Sequence, residues 1–169
     1  VDEVLTRFDR WKFDLWDGLL TVYDAPEILP KLIDAIIQVH KDRNGKLRHR
    51  DQERLLNPDW FQDNKAVGYV AYTDLFAKDL NGVQTKIDYL NKLGITYLHL
   101  MPLLTPRPGE NDGGYAVMDY KSVRSDLGTM KDFALLAQKL HDNGISLTLD
   151  LVLNHVAKEH EWAIKAKSG

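Results

Sequence analysis

The sequence contains no cysteine. That excludes a disulfide scaffold, a thiolate metal centre and a cysteine nucleophile. Long apolar runs are missing too. The richest stretch, Ile95 to Leu104, is broken by Thr96, His99 and Pro102 and falls short of the ~18–20 residues of a membrane span. The first residues are charged and amphipathic, without an apolar signal core, so the expectation is a cytoplasmic protein with no membrane partner. No G-x-G-x-x-G, P-loop or G-x-S-x-G pattern occurs, which removes the phosphate cradle and the nucleophile elbow. Nor is there a basic excess. Against 25 acidic side chains stand 22 basic ones, a net charge of −3, which argues against a nucleic-acid partner.

What is present suffices for a core, at 44% hydrophobic and 28% charged over 169 residues. That length is one ordinary domain, or a domain with a small appendage, and lies well below the ~250 residues of a complete (β/α)8 barrel. The chain opens on Val1 and closes on Gly169 directly after a helical-looking run, so cuts at both ends are expected.

Residues 1–64 read as a helical region. Leu5, Phe8, Trp11, Leu15 and Leu19 follow helical spacing, and Asp24-Ala-Pro26 reads as a helix start. Leu29 to His40 continue the pattern, and Asn44-Gly45 reads as its stop. A further short helix is predicted to end near Asn57-Pro58, with Leu55, Leu56, Trp60 and Phe61 as anchors.

From residue 65 the texture changes. Val67 to Thr73, Ile95 to Met101 and Ile145 to Leu153 read as strands. Between them lie a helix on Val83, Ile87, Leu90 and Leu93 and another on Phe133 to Leu140, stopped by Gly94 and Gly144. Pro102 to Tyr120 reads as a long loop, and 157–167 as helix. Two successive strand–helix–strand units predict an α/β fold with a parallel sheet, either doubly wound or the opening of a (β/α)8 barrel.

In such sheets, chemistry gathers at the C-terminal strand ends. Two stretches qualify. Asp112-Gly113-Gly114-Tyr115 is first of all a tight-turn sequence; alternatively, its paired glycines let a carboxylate and a phenol approach a polar ligand. Asp150-Leu-Val-Leu-Asn154-His155 places an Asp in an apolar strand, an expensive position unless it is paired. Asp150 and Asn154 are read as sharing a strand face, and a neighbouring Arg or backbone N–H is the plain way to satisfy Asp150. His155, Glu159 and His160 lack the i, i+4 spacing of a zinc helix, so no metal is expected. His99 reads as a core histidine. Lys46, Arg48, His49 and Arg50 read as a solvated helix face.

At these stretches the sequence resembles the α-amylase superfamily of glycoside hydrolases and transglycosylases. Asp150 to His155 matches its strand-three motif. The string His99-Leu-Met-Pro-Leu-Leu104 with Pro106 to Val117, and Asn154-His155 followed by Glu159-His160-Glu161-Trp162, resembles the amylosucrase branch. The resemblance implies a helical N-terminal region followed by the first three strands of an incomplete (β/α)8 barrel. It also implies retaining glucosyl transfer from sucrose to an α-1,4-glucan, with release of fructose and no cofactor. Under it, Asp112, Tyr115 and His155 bind substrate: the carboxylate at the pocket floor, the platform under the glucosyl ring, and the histidine that hydrogen-bonds a glucose hydroxyl and stabilises the transition state. Asp150, Asn154, Gly113 and Gly114 are structural. The family's nucleophilic Asp, its acid/base Glu and a further Asp match no residue here, so the 169-residue chain alone is expected to be inactive. Its three strands are expected to have two open edges and an uncovered inner face. Rival readings are a sucrose hydrolase, an α-glucosidase or an α-amylase, a non-catalytic carbohydrate-binding α/β module, and a helical interaction domain at 1–64.

Overall fold

The structure is a computed structural model describing residues 2–169, with side chains from Val4 onward. The chain forms two compact units, 1–60 and 61–169. No described helix is long and apolar enough to cross a membrane.

The first unit holds α1 (Asp2–Val22), α2 (Ile28–Asp42) and α3 (Gly45–Leu56). Among its described residues none is buried, because three helices over so short a stretch enclose little volume. Trp11 of the expected apolar face is 60% exposed. Asp24 does not cap α2. Residues 25–28 form a turn closed by Ile28 N–H to Ala25 O at 3.1 Å, and Glu27 precedes the helix without a side-chain cap. Asn44 opens α3 instead of closing α2, its side chain accepting from Leu47 N–H at 2.9 Å. The carbonyls at the end of α2 are met by Arg48, which donates to His40 and Lys41. Arg43 forms a two-pronged pair with Asp51. The expected anchors Leu55, Leu56 and Phe61 are exposed, whereas Trp60 carries the Arg54 guanidinium 3.9 Å above its ring.

The second unit is built on β1 (Gly68–Ala71), β2 (Tyr97–Leu100) and β5 (Ser146–Leu149), a parallel sheet in the order β1-β2-β5. Helices α4 (Thr73–Ala77), α5 (Leu80–Gln84), α6 (Ile87–Lys92) and α7 (Met130–Asp142) belong to its connections, and α8 (Glu161–Ser168) ends the chain. One sheet face packs Leu98 and Leu100 against Leu80, Val83, Leu90, Leu136 and Leu140. On the other face, Val70, His99 and Thr148 pair in register, with Val70 60% exposed. Continuous apolar sequence in β2 therefore does not mean burial on both sides.

Several element boundaries differ from the sequence reading. The helix expected over 83–93 is two short helices, and Gly82 lies in the first turn of α5 behind its cap Asp79. An added Cβ at Gly82 would sit 1.8 Å from the Ala77 carbonyl oxygen, so close packing selects glycine here. The expected loop at 102–120 contains β3 (Leu104–Pro106) and most of β4 (Val117–Val123), an antiparallel ribbon with irregular register. Pro106 and Pro108 hide it, since proline reads as loop yet is tolerated at a ribbon edge. β5 ends at Leu149, so Asp150 and Asn154 do not share a strand face, and α8 starts only at Glu161.

Candidate active site

Because β1, β2 and β5 are parallel, their C-terminal ends meet at one end of the sheet. Tyr72 follows β1, His99 stands on the open face of β2, and Asp150 is the first residue after β5. The β3–β4 connection adds the segment that carries Asp112 and Tyr115.

That segment turns sharply. Asn111 accepts from Gly114 N–H through its side chain at 3.0 Å and from Ala116 N–H through its carbonyl at 3.1 Å. Asp112, Gly113 and Gly114 have φ of +54°, +65° and +95°. Aspartate tolerates this left-handed region and glycine enters it freely. Both glycines are also needed for space. A Cβ on Gly113 would lie 2.8 Å from the Tyr72 hydroxyl, and one on Gly114 would lie 3.0 Å from Pro102 Cβ. The turn residues are thus a means of bringing Tyr115 to the sheet.

Tyr115 Oη donates to Asp150 Oδ2 at 3.3 Å. Burial, followed by the Asp150 charge and its hydrogen bond, pushes the phenol above the ordinary tyrosine pKa. Asp150 Oδ1 lies 3.4 Å from His99 Nε2. Asp150 therefore hydrogen-bonds a phenol and faces an imidazole, where the plain reading of its position has an Arg or a backbone N–H. His99 is a partly exposed group on the open face, not an enclosed core histidine. Its signal in the sequence was alternation: Tyr97 and His99 share the face opposite Leu98 and Leu100.

Asp112 is exposed. Asn154 and His155 are exposed as well, and no hydrogen bond or ion pair among the described residues joins either side chain to the Tyr115–Asp150 pair. Their segment is held by its backbone. Tyr120 Oη donates to Val152 O and, at 3.4 Å, to His155 O, while Ala157 N–H donates to Val117 O at 2.8 Å. Glu159 and His160, weighed above as metal ligands, have other partners. Arg107 reaches Glu159 at 3.1 Å, and buried His160 caps α8 by accepting from Trp162 N–H at 3.1 Å. Among the described residues no group of three or more His, Cys, Asp or Glu is arranged to hold a metal ion.

An open cavity of about 560 Å³ flanks the turn, lined in part by Tyr72, Asp74, Arg107, Gly113 and Arg124. Arg124 belongs to no motif of the sequence. It pairs with Asp74 at 3.1 Å and Asp126 at 2.6 Å, and these carboxylates strengthen its hold on its proton. Carboxylate acceptors beside phenol rings on one sheet end suit a polyhydroxylated ring, which offers both O–H donors and an apolar face.

Residues 55–169 match the family model described as alpha amylase, catalytic domain. Alpha-amylase 3 of Dictyoglomus thermophilum is 37% identical over 119 residues, 66% of this chain and 23% of that protein. An oligo-1,6-glucosidase of Parageobacillus thermoglucosidasius is 36% identical over 89 residues, 53% of this chain and 16% of that protein. Among solved structures, a mutant of MutB in complex with the substrate sucrose superposes with a TM-score of 0.57 at 33% identity, over 65% of this chain and 20% of that one. The chain spans about a fifth of the length of these relatives. Its mixed helix and strand order is consistent with part of an alpha-amylase-type barrel. By the match over residues 55–169, the chain belongs to the alpha-amylase family of glycoside-active enzymes.

Proposed function

We propose that this chain supplies part of the glucosyl-binding pocket of a retaining, sucrose-active enzyme of the amylosucrase type. One observation carries the pocket: Tyr115 Oη bonded to Asp150 Oδ2, which joins the Asp112–Tyr115 turn to the Asp150–His155 motif at the C-terminal end of the sheet. Asp112 accepts sugar hydroxyls, Tyr115 underlies the ring, and His155 donates to a hydroxyl beside the bond that breaks. Asp150 and Asn154 organise the site, and Gly113 and Gly114 let the turn approach it.

Retaining transfer passes through an oxocarbenium-like transition state, in which hydrogen bonds to the sugar hydroxyls strengthen. These residues do that holding. No residue of this chain is assigned the nucleophile or the acid/base, which would stand about 5–5.5 Å apart across the glycosidic bond.

Sucrose as donor is supported by the resemblance of residues 99–117 and 154–162 to the amylosucrase branch, and by likeness to a sucrose complex among sucrose-active neighbours. The glucosidase relative supports a second reading, hydrolysis of an α-glucoside. The test is to offer sucrose, maltose, isomaltose and starch to the enzyme that carries this chain, and to follow free fructose, free glucose and glucan. Fructose release with glucan growth is expected from sucrose. Cleavage of maltose or isomaltose with no action on sucrose replaces the proposal with the glucosidase reading.

A further inference from the structure

We propose that His99 is a positioning residue for Tyr115, acting through Asp150. The inference rests on the reading of Tyr115 as the platform for the glucosyl ring. Three residues from three separate elements form one line. His99 Nε2 lies 3.4 Å from Asp150 Oδ1, and Asp150 Oδ2 accepts from Tyr115 Oη at 3.3 Å. Each carboxylate oxygen thus faces its own neighbour.

The two ends of the line differ in rigidity. His99 is inside β2, in register with Val70 on one side and Thr148 on the other. Tyr115 stands beyond a turn of three left-handed residues, joined to the sheet by side-chain contact. Asp150 is one residue past the end of β5, where strand pairing no longer sets its direction. Its carboxylate is aimed by whatever it touches, and on the strand side that is His99.

The imidazole has a reason to engage. Its Nε2 is covered from solvent and makes no hydrogen bond of good geometry. A buried polar atom left unpaired is costly, and Asp150 Oδ1 is the acceptor in reach. Both contacts are at the long end for hydrogen bonds. A small turn of the Asp150 carboxylate toward Nε2 would carry the Tyr115 hydroxyl, and with it the ring, along one path.

The experiment uses the enzyme that carries this chain, labelled with fluorotyrosine, with the Tyr115 fluorine signal assigned by Tyr115→Phe. His99→Phe keeps the ring and removes both nitrogens; His99→Leu serves if the larger ring prevents folding. Either change is expected to shift or broaden the Tyr115 signal and leave the other tyrosine signals in place. His99→Gln, whose amide can donate to Asp150, should restore it. Adding His99→Phe to Asp150→Asn should produce no further shift. With sucrose, kcat/KM should fall about tenfold, mainly through KM, as the Tyr115 platform loses its position, and recover with His99→Gln. An unmoved Tyr115 signal in a folded variant, or shifts that add in the double variant, would overturn the proposal. A wild-type enzyme that ignores sucrose defeats the substrate reading alone, because the fluorine signal still reports on the His99 link.

Discussion

Arg107 Nη2 lies 3.1 Å from Glu159 Oε1 and joins the arm of the β3–β4 ribbon to the segment that follows His155. Tyr120 Oη, donating to Val152 O, and Ala157 N–H, donating to Val117 O, fasten β4 to the chain on either side of His155. Asp112 and Tyr115 therefore share a support with His155, although the structure records no contact between their side chains.

The pair should be measurable as a coupling. Arg107 Nε and Glu159 Oε2 are both covered and lack hydrogen-bond partners, so removing either residue strands the other. Lys158 stands farther from Glu159, at 4.0 Å. The two side chains are 32% and 29% exposed, which limits the gain to about 1 kcal/mol. A double-mutant cycle of Arg107→Ala and Glu159→Ala, read by urea unfolding, should return a coupling of that size. Limited proteolysis should cut the single variants faster near residues 152–160.

Tyr115 predicts a loss of stability in alkali. Its folded pKa is raised by burial and by Asp150. A raised group contributes stability that is whole below its unfolded value, about 10 for tyrosine, and is lost as pH rises through the folded value. Stability measured upward from pH 10 should fall, and Tyr115→Phe should flatten that slope. Asp150→Asn should move the phenol back toward its ordinary value in an ultraviolet titration.

At the acid end the sign reverses. Hydrogen bonds from Ser122, Arg124 and Thr129 hold Asp119, Asp126 and Asp132 below the ordinary aspartate pKa. A depressed carboxylate stabilises above its unfolded value, about 3.9, and loses that contribution as pH falls through the folded one. Thr129 and Asp132 cap α7 reciprocally. Thr129→Ala should cost about 1 kcal/mol at neutral pH and weaken the acid dependence.

Two glycines should respond oppositely to alanine. Gly82→Ala drives a Cβ into the Ala77 carbonyl and should destabilise by roughly 1–3 kcal/mol. Gly18 sits inside α1 with open space around it, and Gly18→Ala should stabilise by about 0.5–1 kcal/mol. Denaturant midpoints of the two variants check both signs.

Much of this architecture was legible because it rests on local periodicity. The apolar rhythm of Leu136 and Leu140, and the stops at Gly94 and Gly144, mark α7 and the entries to β2 and β5 without reference to any distant residue. The β3–β4 ribbon was not legible, since Leu104 pairs with Val123 across a connection rich in proline and glycine that reads as loop. Asn44 is ambiguous in sequence for a similar reason: a residue between two helices can end one or begin the other, and only the Leu47 N–H it receives decides which.

The candidate site divides along the same line. Sequence alone determined which chemical groups exist: the carboxylates of Asp112 and Asp150, the phenol of Tyr115, the imidazoles of His99 and His155, and a turn that only small or αL-tolerant residues can make. The tertiary structure decided which of them meet. Asp150 found Tyr115, thirty-five positions away, and His99 on a neighbouring strand. Parallel pairing brings strand ends together that are far apart in sequence, and side-chain reach at those ends depends on register, which no local pattern encodes.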